Sequence, residues 1–428
     1  MRLIQHLRRL ARPIVILGIA VLIHAPHLSA QPADALREML QQQVAANVIP
    51  GAIVLASRNG QLVTDIVVGY QDTNTGSPMR PDSLFRLYSM SKPITSVAIM
   101  MLVEQGRVAL DQAVESILPE LAGLQVYVSG PLDHMVTEPA RRSITLRDLL
   151  THSSGITYHF TGQSVVHAYY RKYGVMRDTP VGRTPEDGEP AHSLNELVGR
   201  IGRAPLLHQP GTRFAYSYST TVLGAVIESV TGQPLDRALD EMVLGPLEMS
   251  DTGFFVEDSR LDRFMHNYAL GDSGLIDIET PQQSDYRDRG RLLDGGGAIV
   301  GSAGDYLRFA QMLANGGELN GVRLLAEATV DQMLSPQVTA DSGGTPMAFG
   351  FGFAVGSKAL GELGQSPADT AGWSGSGNTF FWVNRARREA MVFMTQVLAT
   401  PPHTATINRL RAMVNALVVA DLRAAAVD

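Results

Sequence analysis

Ser89-Met90-Ser91-Lys92 is the segment of this chain best suited to chemistry. It precedes an apolar run from Ile94 to Val103 that predicts a helix ending near Gly106. Three residues is just under one helical turn, so Ser89 and Lys92 fall on the same face, while Ser91 points off it. Pro93 is compatible with a first helical turn, whose N–H groups have no intrahelical partner. A serine hydroxyl is a weak nucleophile until its proton is taken. A desolvated lysine is one group able to take it. N–H groups at a helix start also stabilise developing negative charge. Taken alone, the same four residues also fit a helix cap followed by a solvated lysine.

Two later segments supply context. Phe214-Ala215-Tyr216-Ser217-Tyr218-Ser219 opens a helical run over Thr220–Val230, and Gly372-Trp373-Ser374-Gly375-Ser376-Gly377 precedes a strand. With Ser89–Lys92, this order and spacing resembles the serine β-lactamase and penicillin-binding-protein superfamily. The class C β-lactamases and the family VIII carboxylesterases are the nearest branches. Leu84-Phe85-Arg86, the stretch from Ile144 to Gly155, Pro210-Gly211-Thr212, Leu223-Gly224 and Thr231-Gly232 extend the resemblance over nearly the whole chain.

The resemblance implies an α/β (α+β) β-lactamase-like fold: an antiparallel sheet flanked by helices, with an inserted, mostly helical domain. It implies Ser89 as acyl-accepting nucleophile, Lys92 as its proton acceptor or electrostatic partner, and Tyr216 as second general base. The oxyanion donors would be the N–H groups of Ser89 and Ser376. Trp373, Ser374, Gly375 and Tyr218 would contact substrate. A phenol with an ordinary pKa near 10 needs tuning to act as a base, and a nearby ammonium favours the phenolate.

Two departures from the family are informative. Where class C enzymes carry Tyr-x-Asn, this chain has Tyr216-Ser217-Tyr218, and Trp373 replaces the lysine of the third motif. Losing that cation while keeping the acyl-transfer set favours neutral, partly apolar ligands. The expected reaction is therefore hydrolysis of short-chain, neutral carboxylic esters through an acyl-Ser89 intermediate. A D-amino-acid peptidase, a β-lactamase or an acyltransferase on the same fold is the alternative. A non-catalytic peptidoglycan- or partner-binding module is a further one.

Other chemistries are excluded by residue type. The chain contains no cysteine, which removes thiolate catalysis and Cys-ligated zinc. Neither Gly-x-Ser-x-Gly nor His-Glu-x-x-His occurs, so there is no α/β-hydrolase elbow and no compact zinc motif. No metal or cofactor is called for. Asp294-Gly295-Gly296-Gly297 lacks the Gly-Lys-Ser/Thr of a phosphate loop and reads as a tight turn or a close backbone approach. His152 belongs to a stretch that looks structural in the family. Tyr158, Tyr169, Tyr170 and Tyr173 either line a cleft or pack a loop.

The elements that must position these residues follow from patterning. Pro32–Asn47 has helical spacing. Arg58-Asn59-Gly60 between the apolar runs 52–56 and 62–68 marks a hairpin. A second hairpin fits Thr379–Asn384 and Ala390–Gln396, and Thr404–Leu422 returns to helical spacing. Ser302 and Asp305 resemble a capping box. Thr157–Ala191 reads as a long surface loop. The expected organisation is an α/β domain from residues 31–140 and 286–428, split by a helical insertion over 141–285.

The chain has 428 residues, 45% of them hydrophobic and 18% charged, with a net charge of −7. That is enough to bury a large core, and no dense basic cluster suits nucleic acid. Residues 1–30 read as a signal peptide: Arg2, Arg8, Arg9 and Arg12, then an apolar run from Ile14 to Ile23, then Leu28-Ser29-Ala30. That run is shorter than the roughly 20 residues a membrane span needs. The protein is expected to be exported, periplasmic or secreted, with no stable span once the signal is removed, and to act on a small ester. Only Lys92, Lys172 and Lys358 are lysines among 35 basic residues.

Overall fold

The computed structural model describes residues 32–178, 184–342, 345–356, 367–400 and 402–426. The expected signal segment 1–30 and Lys358 lie outside the described residues.

The first hairpin joins β1 (Gly51–Arg58) to β2 (Gln61–Asp72). Asn59 and Gly60 take φ of 52° and 79°, the doubly positive pair a type I′ turn requires. Strand β3 (Ser77–Pro78) closes that edge. The far end of the chain supplies β4 (Val338–Ser342), β5 (Thr345–Phe349), β6 (Ala354–Val355), β7 (Ala371–Ser374), β8 (Phe380–Asn384) and β9 (Glu389–Met394). The resulting nine-stranded sheet runs β4-β5-β6-β7-β8-β9-β1-β2-β3, and every adjacent pair is antiparallel. The Arg58–Glu389 ion pair ties β1 to β9 at its end.

Successive side chains leave opposite faces of a strand, and here both faces are covered. Phe381, Val383, Ala390, Val392 and Met394 enter one core, with helices α2 (Ser91–Glu104), α3 (Ser219–Thr231) and α4 (Ala303–Ala314). Phe380, Trp382, Met391 and Phe393 enter the other, with α1 (Pro32–Ala45) and α5 (Thr404–Ala424). The Trp382 indole N–H donates to Asn415 Oδ1 at 3.1 Å, holding α5 on the sheet. Helix α2 is apolar nearly all round, and residues 91–100 are all buried, as expected of a helix enclosed by others.

Within the first of these cores the start of α2 is clamped to the segment ending at Ser302. Leu84–Arg86 pairs with Val300–Ser302. Leu87 N–H donates to Ile299 O at 2.9 Å, and Ile299 N–H donates to Ser91 Oγ at 3.1 Å. Ser91 thus points away from Ser89, as the spacing predicted. Ser302 caps α4 by accepting from the Asp305 N–H.

The segment 157–191 differs from the expected loop. It holds a two-turn helix, Val165–Lys172, which buries Val166, His167 and Tyr170. One i,i+4 apolar pair inside a run of Gly, Pro and charge is too short a pattern to announce a helix; packing makes it. Among the described residues no helix is long and apolar enough to cross a membrane.

Candidate active site

Ser89 sits in a 3-10 turn, Tyr88–Met90, that leads into α2. Tyr88 takes a φ of +47°, a conformation costing a bulky residue on the order of 1–3 kcal/mol. Asn267 Nδ2 donates to the Tyr88 hydroxyl at 2.8 Å, so the strained residue is anchored from outside the turn.

The Ser89 hydroxyl receives two hydrogen bonds. Tyr216 Oη–H donates at 2.7 Å, and Lys92 Nζ donates at 3.3 Å. Lys92 is 1% exposed. It spends a second proton on Gly296 O at 2.6 Å, and its Nζ lies 4.7 Å from the centre of the Tyr216 ring and 5.4 Å from that of Tyr158. Serine and lysine therefore share one face as their spacing predicted, and the tyrosine that the resemblance pointed to meets them there.

The triglycine turn holds the lysine. Thr95 Oγ1 donates to Gly295 O at 2.8 Å. A Cβ on Gly295 would fall 2.8 Å from that hydroxyl, and one on Gly296 would fall 2.8 Å from Thr221 Oγ1. Asp294 fixes the turn by accepting from Thr221 Oγ1 at 2.6 Å and from the Gly296 N–H at 2.7 Å. Its other oxygen pairs with Arg177 at 3.0 Å. The glycines are thus a close backbone approach, and the carbonyl they deliver to Lys92 is a feature sequence reasoning missed.

Gly375 serves a similar purpose at the end of β7. A Cβ there would lie 2.3 Å from Leu87 O, so only glycine lets this strand end close on the Ser89 turn. Ser89, Gly375, Ser376 and Tyr218 all line one cavity of about 560 Å³. Trp373 and Ser374 are not among its lining residues. The Trp373 ring instead packs 5.5 Å from Tyr216 and 5.2 Å from Phe349.

Of the four loop tyrosines, Tyr158 lines the cavity. Its ring is 5.3 Å from Tyr216 and 4.3 Å from Tyr218, and burial holds its hydroxyl protonated well above the ordinary range. Tyr170 is core, while Tyr169 and Tyr173 pack on each other at 4.4 Å. His159, which sequence reasoning passed over, joins the cavity wall with Nδ1 3.0 Å from the Tyr218 hydroxyl. Burial pushes its pKa down to about 4. His152 is structural. Its Nδ1 is 3.0 Å from Ser217 Oγ and its ring packs 4.9 Å from Tyr216. Burial, then Lys92, keep it neutral.

Asp72, His266 and Asp277 cluster within metal-ligating distance of one another. His266 Nδ1 is already 2.6 Å from Asp277, Asp72 accepts from Asn74 N–H and Thr75 Oγ1, and none of the three lines the cavity.

The Beta-lactamase family matches residues 36–416. The chain belongs to that family. Esterase EstB of Burkholderia gladioli is 30% identical over 390 residues, covering 86% of this chain and 91% of its own. The solved structure of EstCE1, described as a hydrolase with promiscuous acyltransferase activity, superposes with a TM-score of 0.74 at 27% identity, over 90% of this chain and 98% of its own. A mutant of simvastatin synthase from Aspergillus terreus shares the fold, with a TM-score of 0.75 at 21% identity over 94% of this chain and 100% of its own. This β-lactamase-family chain is accordingly a serine hydrolase by fold and kinship, with a large antiparallel sheet flanked by helices.

Proposed function

We propose that this protein cleaves short-chain, neutral carboxylic esters through an acyl-enzyme on Ser89, after export from the cytoplasm. The observation that carries the reading is the convergence of Tyr216 Oη and Lys92 Nζ on Ser89 Oγ at the wall of a cavity.

Acylation starts from Tyr216 as the phenolate, its own proton released to solvent and its charge stabilised by the buried Lys92 Nζ that Gly296 O holds in place. Ser89 Oγ then attacks the ester carbonyl while its proton passes to the phenolate oxygen. The carbonyl oxygen becomes an oxyanion, bound by the N–H groups of Ser89 and Ser376. Collapse expels the alcohol, which takes the proton back from Tyr216. Water repeats the sequence on the acyl-Ser89 ester and releases the acid. Trp373, in the position of a family lysine, offers no cation to a carboxylate beside the reacting carbonyl. It supports the Tyr216 ring instead.

An alcohol entering in place of water would give acyl transfer. The size of the cavity and the similarity to EstCE1 favour that second outcome of the same intermediate. The test is a paired screen of 4-nitrophenyl butyrate and a chromogenic cephalosporin, with intact-mass detection of the acyl-enzyme. Ester cleavage with a butyryl adduct, absent in Ser89→Ala, is expected. Faster cleavage of the cephalosporin, or an unaffected Ser89→Ala, would overturn the reading.

A further inference from the structure

His152 lines no part of the cavity and takes no part in bond-making, yet it grips the segment that carries the base. Its φ is +53°, a conformation uncommon outside glycine. In that bend one residue makes two contacts with the same stretch of chain. His152 O accepts from the Ala215 N–H at 2.7 Å, and Nδ1 lies 3.0 Å from Ser217 Oγ. Ala215 and Ser217 are the two neighbours of Tyr216 in the chain, and the imidazole packs 4.9 Å from the Tyr216 ring. The turn is itself held from both sides: Gly352 N–H donates to Leu150 O at 3.0 Å, and Gly211 N–H to Ser153 O at 2.8 Å.

Behind Ser217 runs a chain of hydroxyls. Ser217 Oγ is 2.8 Å from Ser219 Oγ, which is 2.8 Å from Ser154 Oγ. His152 and the three serines are each no more than 1% exposed. Backbone N–H groups donate to the chain at both ends, Ile156 to Ser154 Oγ and Ser219 to Ser217 Oγ. Among the described residues the Ser154 hydroxyl has no acceptor except Ser219. The protons therefore run from Ser154 to Ser219, from Ser219 to Ser217, and from Ser217 to His152 Nδ1. Nδ1 is an acceptor, and the imidazole is neutral with its proton on Nε2, which is buried without a partner. Protonation would make Nδ1 a donor and leave the hydroxyl chain without an outlet. Burial, then Lys92, oppose it as well.

We infer that His152 is a positioning residue for the general base: through Ala215 and Ser217 it holds Tyr216 against Ser89 and Lys92 without placing a second cation beside them. This rests on the acyl-Ser89 reading, in which Tyr216 carries the proton. An imidazolium at this place would repel the Lys92 ammonium on which the phenolate depends.

The test counts active sites by fluorophosphonate labelling of Ser89 and expresses 4-nitrophenyl butyrate turnover per labelled site, so that loss of folded protein is divided out. Tyr216 is faced by Lys92 of α2, by Tyr158 and by His152, with Asp294, Arg177 and Tyr218 acting on Tyr158. His152→Phe keeps a ring and loses Nδ1. Its kcat should fall about tenfold with KM within about twofold, since misplacing a reacting group by 1 Å costs about 10²-fold. The acidic limb of its pH profile should move to higher pH, because a loosened phenolate is less well stabilised by Lys92. His152→Asn tolerates the positive φ and offers a side-chain oxygen in place of Nδ1, so it should recover most of the rate. Ser217→Ala should lose as much as His152→Phe, and the double variant no more than either, because the two remove one contact. A His152→Phe kcat within about twofold of wild type with an unmoved acidic limb, or losses that multiply in the double variant, would overturn the inference alone. If His152→Phe fails to fold, Ser217→Ala decides, and a kcat within about twofold of wild type overturns it. Wild type that forms no butyryl adduct would overturn the ester reading and this inference with it.

Discussion

The two ends of the cavity are built on opposite plans. At the Ser89 end each polar group is held by another: Lys92 by Gly296 O, the triglycine turn by Asp294, Asp294 by Arg177 and Thr221. At the α5 end Thr404 and Asn408 are exposed and Arg411 has no ion-pair partner among the described residues. The difference teaches which part of the pocket is set in advance. Bond-making needs groups fixed before substrate arrives, and among the described residues no such ties hold Thr404, Asn408 and Arg411.

Removing the nucleophile is the severest way to break this contrast. Ser89→Ala should abolish both ester turnover and the acyl adduct, measured by initial rates and intact mass. Lys92→Met and Tyr216→Phe should each lower kcat/KM for the neutral ester by about 10²–10⁴-fold, the range for a positioned proton-transfer group, while leaving the melting transition in place.

Next in size is a stability effect confined to the locked end. Asp294→Ala strands Arg177, whose side chain is 15% exposed, and takes the acceptor from Thr221. Loss of one partner of a buried pair costs about 3–5 kcal/mol, so urea unfolding should shift strongly. Arg411→Gln removes a cation that has no ion-pair partner to strand, so its unfolding midpoint should shift much less than that of Asp294→Ala. Equal losses in the two variants would erase the distinction between the ends.

A further effect is a slope against pH. His159 has a folded pKa of about 4 against an ordinary 6.5. Between those values the unfolded chain binds the extra proton, so stability rises with pH there. The contribution of neutral His159 is complete above about pH 6.5 and is lost as pH falls toward 4. His159→Gln should flatten that part of the curve, read as melting temperature at pH 7 and pH 5.

The reacting end was largely legible in the chain because its chemistry is carried by residue types at short or ordered spacings. Ser89 and Lys92 are one turn apart, and Tyr216 lies three residues before the helix that begins at Ser219. The hairpins were legible for a local reason, the positive φ of Asn59 and Gly60. The carbonyl of Gly296 was not, since any residue has a carbonyl and it takes the turn fixed by Asp294 to bring this one to Lys92. Nor was Arg411 distinguishable from the other arginines of an arginine-rich chain. Trp373 shows the converse: its type suggested a substrate contact, and its neighbours are Tyr216 and Phe349.

The pairing of β1 with β9 also bears on the order of events during synthesis. Arg58 and Glu389, bonded across those strands, are 331 positions apart, and Arg411 follows later still. A ribosome must deliver almost the whole polypeptide before β1, already paired with β2, finds its second neighbour, and pairing over such separations is slow. Until then β1 exposes an edge that invites association with other chains. Enzyme activity in this protein should therefore be a late reporter of folding, appearing only after β9 and α5 have docked.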